Sequence, residues 1–117
     1  MATILIVDDE KPVREFLVAA LKQDGYNVLE AAHGRHALTL INSGSARPDL
    51  VISDVMMPLV GGVELCRTLK ADPATANIPI VLMSAAHARA SVSAGADAII
   101  GKPFDLDALE TLLHRLL

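Results

Sequence analysis

The chain has 117 residues, enough for one domain with a sizeable core and too few for two. Ten Lys and Arg against fourteen Asp and Glu leave a net charge of −4, with no basic run and no aromatic-basic interleaving, which argues against direct nucleic-acid binding. Hydrophobic residues make up 52%, yet only Phe16, Tyr26 and Phe104 are aromatic, so the core must be built from Ala, Val, Ile and Leu, as suits buried parallel strands.

Strand-length apolar runs alternate with segments of helical period, the pattern of stacked βαβ units. A first strand is predicted at Ile4–Val7. The helix after it takes Pro12 near its start, sets Val13, Phe16, Leu17, Ala20 and Leu21 on one stripe, and ends before Gly25 as C′ residue. A second strand over Val28–Ala31 carries Glu30, a polar position that fits a sheet edge. A helix at about 35–43 leads into a Ser43-Gly44-Ser45 loop, and a third strand follows at Leu50–Ser53. Next come a helix at about 62–70, a loop over Asp72–Thr75, a fourth strand at Ile80–Met83 and a weakly periodic Ala/Ser-rich helix at about 86–94. A fifth strand spans Ala98–Ile100; the last helix starts after Asp105 as N-cap and places Leu106, Leu109, Leu113 and Leu116 on one face. Right-handed crossovers and five strands favour an α/β, doubly wound parallel sheet in the order 2-1-3-4-5, flanked by five helices.

The lone Cys66 has no intramolecular disulfide partner, and no charged n-region, apolar run and cleavage site open the chain. Apolar runs such as Ile78–Met83 fall far short of the roughly 20 residues of a membrane span. The cytoplasm is the expected compartment.

In such a sheet the site lies beyond the carboxyl ends of the strands. There the first strand delivers Asp8 and Asp9, the third Asp54 and the fourth Ser84, while Lys102 follows the fifth. Clustered carboxylates raise one another's pKa unless a cation sits among them. All-oxygen ligation by few protein groups suits Mg²⁺, or Mn²⁺, and no His-Cys set at zinc spacing competes. A metal beside a carboxylate, an amine and a hydroxyl is equipment for phosphoryl transfer, in which a carboxylate can itself be the nucleophile. Asp54, ending the central strand, is the candidate.

The segments Ile4-Leu5-Ile6-Val7-Asp8-Asp9-Glu10, Ser53-Asp54-Val55-Met56-Met57-Pro58, Met83-Ser84-Ala85, Gly95-Ala96-Asp97 and Lys102-Pro103-Phe104 occur in this order. Together they make the whole chain resemble the receiver domain of two-component response regulators, of the chemotaxis-regulator type. The resemblance implies a flavodoxin-like fold, a single receiver domain over residues 1–117, and phosphorylation of Asp54 by a histidine kinase or phosphotransfer protein. It implies that Asp9 and Asp54 bind Mg²⁺ directly with the Met56 backbone carbonyl, and Asp8 mainly through water. Ser84 and Lys102 would hold phosphoryl oxygens, and the bond before Pro103 would be cis. Such a domain is not an enzyme in its own right; it accepts a phosphoryl group and switches a surface read by a downstream protein or output domain.

Four departures from the family pattern matter. Ile99 stands where an aromatic switch residue is usual. The stretch from Ser84 to Gly95 is about one helical turn, roughly 5 Å, shorter than usual, so the fourth helix is expected to be shortened. Gly61-Gly62 replaces an Asp-Gly pair and is expected to loosen its loop. Met56 and Ala86, two positions beyond Asp54 and Ser84, offer no side chain to orient an attacking water, which predicts slow self-dephosphorylation.

Other residues read as structural. Asp8 and Asp9 taken alone would be charges favouring a helix dipole. Cys66, with Leu65 and Leu69, reads as core; His33 and His36 read as surface imidazoles, the side chains of Met56 and Met57 as ordinary packing, and His87 as having no direct catalytic part. Two rivals remain: a pseudo-receiver that binds partners without taking phosphate, and an aspartyl-phosphate phosphatase of the haloacid dehalogenase type. The second needs an Asp two residues after Asp54, where Met56 stands. Nucleotide binding finds neither glycine-rich motif. The ends at Met1 and Leu117 fit a free-standing regulator and a receiver cut from a longer protein alike.

Overall fold

A computed structural model of the chain describes residues 2–85, 95–102 and 105–117. The element order is β1 (Thr3–Val7), α1 (Lys11–Gln23), β2 (Asn27–Ala31), α2 (Gly34–Asn42), β3 (Leu50–Asp54), α3 (Gly62–Ala71), β4 (Ile80–Ala85), β5 (Ala98–Lys102) and α4 (Leu106–Leu116). The five strands form one parallel sheet in the order β2-β1-β3-β4-β5, as expected. Four helices flank it among the described residues; the helix expected at about 86–94 lies outside them, as do His87, Ala86, Pro103 and Phe104.

Alternation along the strands makes two cores. Leu5, Val7, Val51, Ile80 and Leu82 face Ala37 of α2 and Leu65, Cys66 and Leu69 of α3. Ile4, Ile6, Leu50, Ile52, Val81 and Met83 face Leu17 and Leu21 of α1 and Leu109 and Leu113 of α4. Cys66 is therefore a core residue, and burial pushes its thiol pKa up. Glu30, on edge strand β2, is exposed and receives Arg14 Nε at 2.8 Å.

Local chemistry sets the helix ends. α1 starts with Pro12 in its first turn and stops in a Schellman turn: Gly25 at φ 96° donates to the Lys22 carbonyl and Tyr26 to that of Leu21. Asp105 caps α4 by accepting the Asp107 N–H at 3.0 Å. His33 is more than a surface imidazole, because its Nδ1 accepts the His36 N–H at 3.1 Å and caps α2.

Two expectations need correction. Phe16 leaves the apolar stripe of α1 and is 53% exposed. The buried line runs through Leu17 and Leu21, and Phe16 sits roughly 120° around the helix from its centre at about 100° per residue. Met57 packs against the core while Met56 is 78% exposed, since the chain turns to solvent directly after β3. Gly62, the second residue of the Gly61-Gly62 pair, has a packing role of its own. A Cβ added at Gly62 would collide with the Asp54 carbonyl, so α3 presses its first residue against the end of β3. No helix among the described residues is long and apolar enough to cross a membrane.

Candidate functional site

β1 passes directly into Asp8, which is fully buried and donates its N–H to the Ala31 carbonyl of β2. Its Oδ1 accepts the Glu10 N–H at 2.8 Å, an Asx turn that puts Asp8 and Glu10 on one side and leaves Asp9 exposed on the other. Arg14, one turn into α1, reaches back and donates from Nη1 to the Asp8 carbonyl at 2.7 Å while its Nε holds Glu30. The acidic turn is thus fastened to both β2 and α1.

The other two charged members arrive from strand ends. Asp54 is the last residue of β3 and Lys102 the last of β5. Lys102 Nζ lies 3.2 Å from Asp8 Oδ2, 3.2 Å from Asp54 Oδ1 and 3.6 Å from Glu10 Oε1. One carboxylate oxygen from each of Asp8, Glu10 and Asp54 lies within 4.8 Å of the others. Both strands run farther than the apolar pattern suggests, because these charged residues themselves take part in the ladder: Asp54 pairs with Met83, and Ala85 with Lys102.

Electrostatics follow from this crowding. Burial raises the Asp54 pKa above the usual carboxylate value, Lys102 opposes that rise, and the negative charges of Asp8 and Asp9 add to it. For Lys102, burial pulls the pKa down, but the carboxylates of Asp54 and Asp8 outweigh it and leave the ammonium above its ordinary value.

The remaining expected residues fall into place unevenly. Ser84 is buried in β4, one residue beyond the partner of Asp54 and across from Gly101. Ile99 pairs with Leu82 and packs partly buried against the α2–α3 core. Asp9 does not join the close carboxylate group, although its charge reaches Asp54. Glu10 does join it, and sequence reasoning missed it, because the Asx turn that places it lies beyond the end of β1, where strand alternation no longer applies. The loop after Asp54 is pinned by Val55 N–H to the Met83 carbonyl, Gly34 N–H to that of Val60 and Gly62 N–H to that of Val55. Within it Leu59 is 66% exposed and holds φ 66°, a left-handed conformation that a leucine rarely adopts.

At the opposite end of the sheet a second charged group has a different character. Lys70 Nζ donates to Asp97 at 2.9 Å and to the carbonyls of Ile78 and Ala76, while Asp97 also accepts the Ile80 N–H at 2.8 Å. This ties α3 to the starts of β4 and β5. Nearby, a cleft of about 680 Å³ is lined by residues that include Asn42, Arg47, Asp49 and Thr75. The carboxylate pocket lies at the other end.

An all-oxygen donor set with no nitrogen or sulfur ligand fits a hard divalent cation such as Mg²⁺. Oxygens that close, in a pocket that also holds an ammonium, suit a site where negative oxygens are gathered and neutralised.

Comparison with known proteins agrees with this geometry. The family described as the response regulator receiver domain matches residues 4–114. The chain is 42% identical over 120 residues to "Histidine kinase P4" of Formosa agariphila, covering 99% of the chain and 8% of that protein. It is 40% identical to the phosphate regulon transcriptional regulatory protein PhoB of Pseudomonas aeruginosa, over 98% of the chain and 51% of that protein. The chain therefore spans about half of the transcriptional regulator and a small part of the kinase. Among solved structures, response regulator protein TrrA of Thermotoga maritima, in complex with Mg²⁺–BeF, superposes with a TM-score of 0.89 at 34% identity, each chain covered fully.

Proposed function

The chain belongs to the response regulator receiver family, and from that premise we propose that Asp54 is its phosphoacceptor and that residues 1–117 act as one receiver module. A single observation carries the reading: the buried carboxylate of Asp54 ends the central strand within 3.2 Å of the Lys102 ammonium and beside the Asp8 carboxylate.

In this reading an Asp54 carboxylate oxygen attacks the phosphorus of a phosphohistidine on a histidine kinase or phosphotransfer partner. The O–P bond forms, the P–N bond breaks, and the imidazole leaves with the electron pair and takes up a proton. Asp54 is held in place by its ladder position, and the Lys102 ammonium opposes the rise in its pKa that burial causes. As the phosphoryl group arrives, Lys102 shifts its ammonium from the Asp54 carboxylate to a phosphoryl oxygen, and the Ser84 hydroxyl donates to another. Asp9, Asp54 and the Met56 carbonyl, with Asp8 through water, form the expected metal set. A bound Mg²⁺ supplies charge neutralisation for the phosphoryl oxygens. TrrA, solved in complex with Mg²⁺–BeF, supports that assignment.

The switch is a population shift. Contacts from the phosphoryl group to Ser84 and Lys102 favour one arrangement of the ends of β4 and β5, and the surface beyond them is read by a downstream protein or an output domain in the cytoplasm. Ile99 stands in for the usual aromatic, so the readout depends on Ser84 and on a smaller change in packed aliphatic surface. Met56 cannot orient a water through its side chain, so the acyl phosphate is expected to outlast seconds in the absence of a phosphatase.

The test is intact-mass measurement after incubation with acetyl phosphate and Mg²⁺. One added phosphoryl group that disappears with chelator and in Asp54→Asn is expected. Phosphorylation that persists in Asp54→Asn overturns the assignment, and Mg²⁺ binding with no phosphorylation by any donor favours the pseudo-receiver.

A further inference from the structure

Arg14 takes no part in the chemistry assigned to the pocket, yet the turn that carries Asp8 and Asp9 hangs on its side chain. We propose that Arg14 is a positioning residue for the phosphoacceptor site: through the Asp8 carbonyl it fixes the peptide that joins Asp8 to Asp9, so that the expected metal-binding carboxylates are in place before an ion arrives. This assignment rests on the reading of Asp54 as phosphoacceptor and leaves Asp9, Asp54 and the Met56 carbonyl as the expected metal set.

Helix chemistry does not account for Arg14. It stands one turn into α1, near the positive end of the helix, where a cation gains nothing from the helix dipole and no acidic residue of the first turn offsets it. An ion pair with exposed Glu30 would by itself contribute little. The Arg14 side chain is nevertheless only 14% exposed and spends two N–H groups on two different partners. Nε holds Glu30 Oε1 at 2.8 Å, and Nη1 holds the Asp8 carbonyl at 2.7 Å. Glu30, on edge strand β2, thus steers the guanidinium onto the acidic turn.

What the second contact holds belongs to the site. Asp8 lies one residue past the end of β1, where pairing with β2 and β3 stops at Val7. Its N–H goes to the Ala31 carbonyl and its Oδ1 accepts the Glu10 N–H, so the bond from Arg14 secures the one backbone group that remains. Asp9 follows directly and is exposed. Its carboxylate has no hydrogen bond among the described residues, which leaves its direction to the peptide that Arg14 grips. A lysine cannot repeat this, because an ammonium is a point charge without the planar fork that serves both partners.

Arg14→Lys therefore keeps the charge and removes the fork, and it tests the proposal. Three quantities are read at neutral pH: amide exchange at Glu10 in the ion-free protein, Mn²⁺ affinity by electron paramagnetic resonance of the free ion, and the rate of Asp54 labelling by acetyl phosphate against Mg²⁺ concentration. Lys70→Met, which unties α3 from β4 and β5 at the opposite end of the sheet, is the control for lost stability alone. Arg14→Lys is expected to exchange faster at Glu10 and to bind Mn²⁺ about tenfold more weakly, the lower end of what an outer-shell partner of a metal contributes. It is expected to need correspondingly more Mg²⁺ for half-maximal labelling and to reach the wild-type rate at saturation, while Lys70→Met binds Mn²⁺ like the wild type. Unchanged Mn²⁺ affinity in Arg14→Lys overturns the proposal. So does an equal loss in Lys70→Met, which would reduce the effect to general instability, or a rate that stays low at saturating Mg²⁺, which would place Arg14 in phosphoryl transfer instead of in the seating of the ion. A wild-type protein that neither binds Mn²⁺ nor takes a phosphoryl group at Asp54 would overturn the reading of the site itself, so the two failures are distinct.

Discussion

Individual side chains at the pocket show how burial and charge oppose each other. Lys102 is held above its ordinary pKa because Asp54 and Asp8 outweigh its desolvation. A raised lysine pKa contributes stability that is fully present below the unfolded value of 10.5 and is lost as pH rises through the higher folded value. In chelator, the wild type is therefore expected to lose stability above about pH 10.5, and Lys102→Met to lack that loss in urea titrations across the range. Leu59 is a different kind of residue. Its positive φ is strained and its side chain is mostly exposed, so Leu59→Gly is expected to be neutral or to stabilise by up to about 1 kcal/mol in denaturant unfolding, against the usual cost of glycine. Asp8, Asp54, Ser84 and Lys102 were legible in the sequence because each stands at the end of an apolar run. Glu10 was not, since its place depends on the Asx turn at Asp8, and Arg14 was not, because nothing in a helical pattern says that one basic residue reaches backward.

Elements position these groups, and their junctions are close. α3 begins where Gly62 meets the Asp54 carbonyl and α2 where Gly34 meets the Val60 carbonyl; neither place has room for a Cβ. Gly62→Ala is expected to cost about 1–3 kcal/mol by overpacking against backbone and to slow phosphorylation as well, since it displaces the end of β3. Unfolding and phosphorylation rates measured on the same sample check both effects. At the far end of the sheet, Asp97 illustrates the acid side of stability. Burial raises its pKa, but hydrogen bonds from Lys70 and the Ile80 N–H together with the charge of Lys70 outweigh that and leave it lowered. A lowered carboxylate pKa gives stability that is present above 3.8 and lost as pH falls through the folded value. Asp97→Asn is therefore expected to be less stable at neutral pH and to show a flatter decline below pH 3.8, as read by thermal unfolding against pH. Strand order and helix count through α3 were legible because their periods differ, 2 against 3.6. Phe16 was misplaced because a stripe drawn by spacing alone does not reveal which of its edges meets the sheet.

Across the whole molecule, one end of the sheet gathers negative charge at a cost to stability. The raised Asp54 pKa means that its ionised form is disfavoured by folding, so in chelator Asp54→Asn is expected to melt higher than the wild type at neutral pH. Mg²⁺ should reverse the order. At a hundredfold excess over its dissociation constant the ion stabilises by about 2.7 kcal/mol, which at this chain length raises the melting temperature by roughly 10 °C in the wild type and by less in Asp54→Asn. The central claim is that this end of the fold exists to let the Asp54 carboxylate, and no neighbouring acid, take a phosphoryl group. The most direct test is borohydride reduction of the phosphorylated protein, which converts an acyl phosphate on aspartate to homoserine, followed by peptide sequencing by mass spectrometry. Homoserine at position 54 alone is the predicted result. Reduction at Asp8, Asp9 or Glu10, or a stably phosphorylated protein that yields no reduced residue, would contradict it.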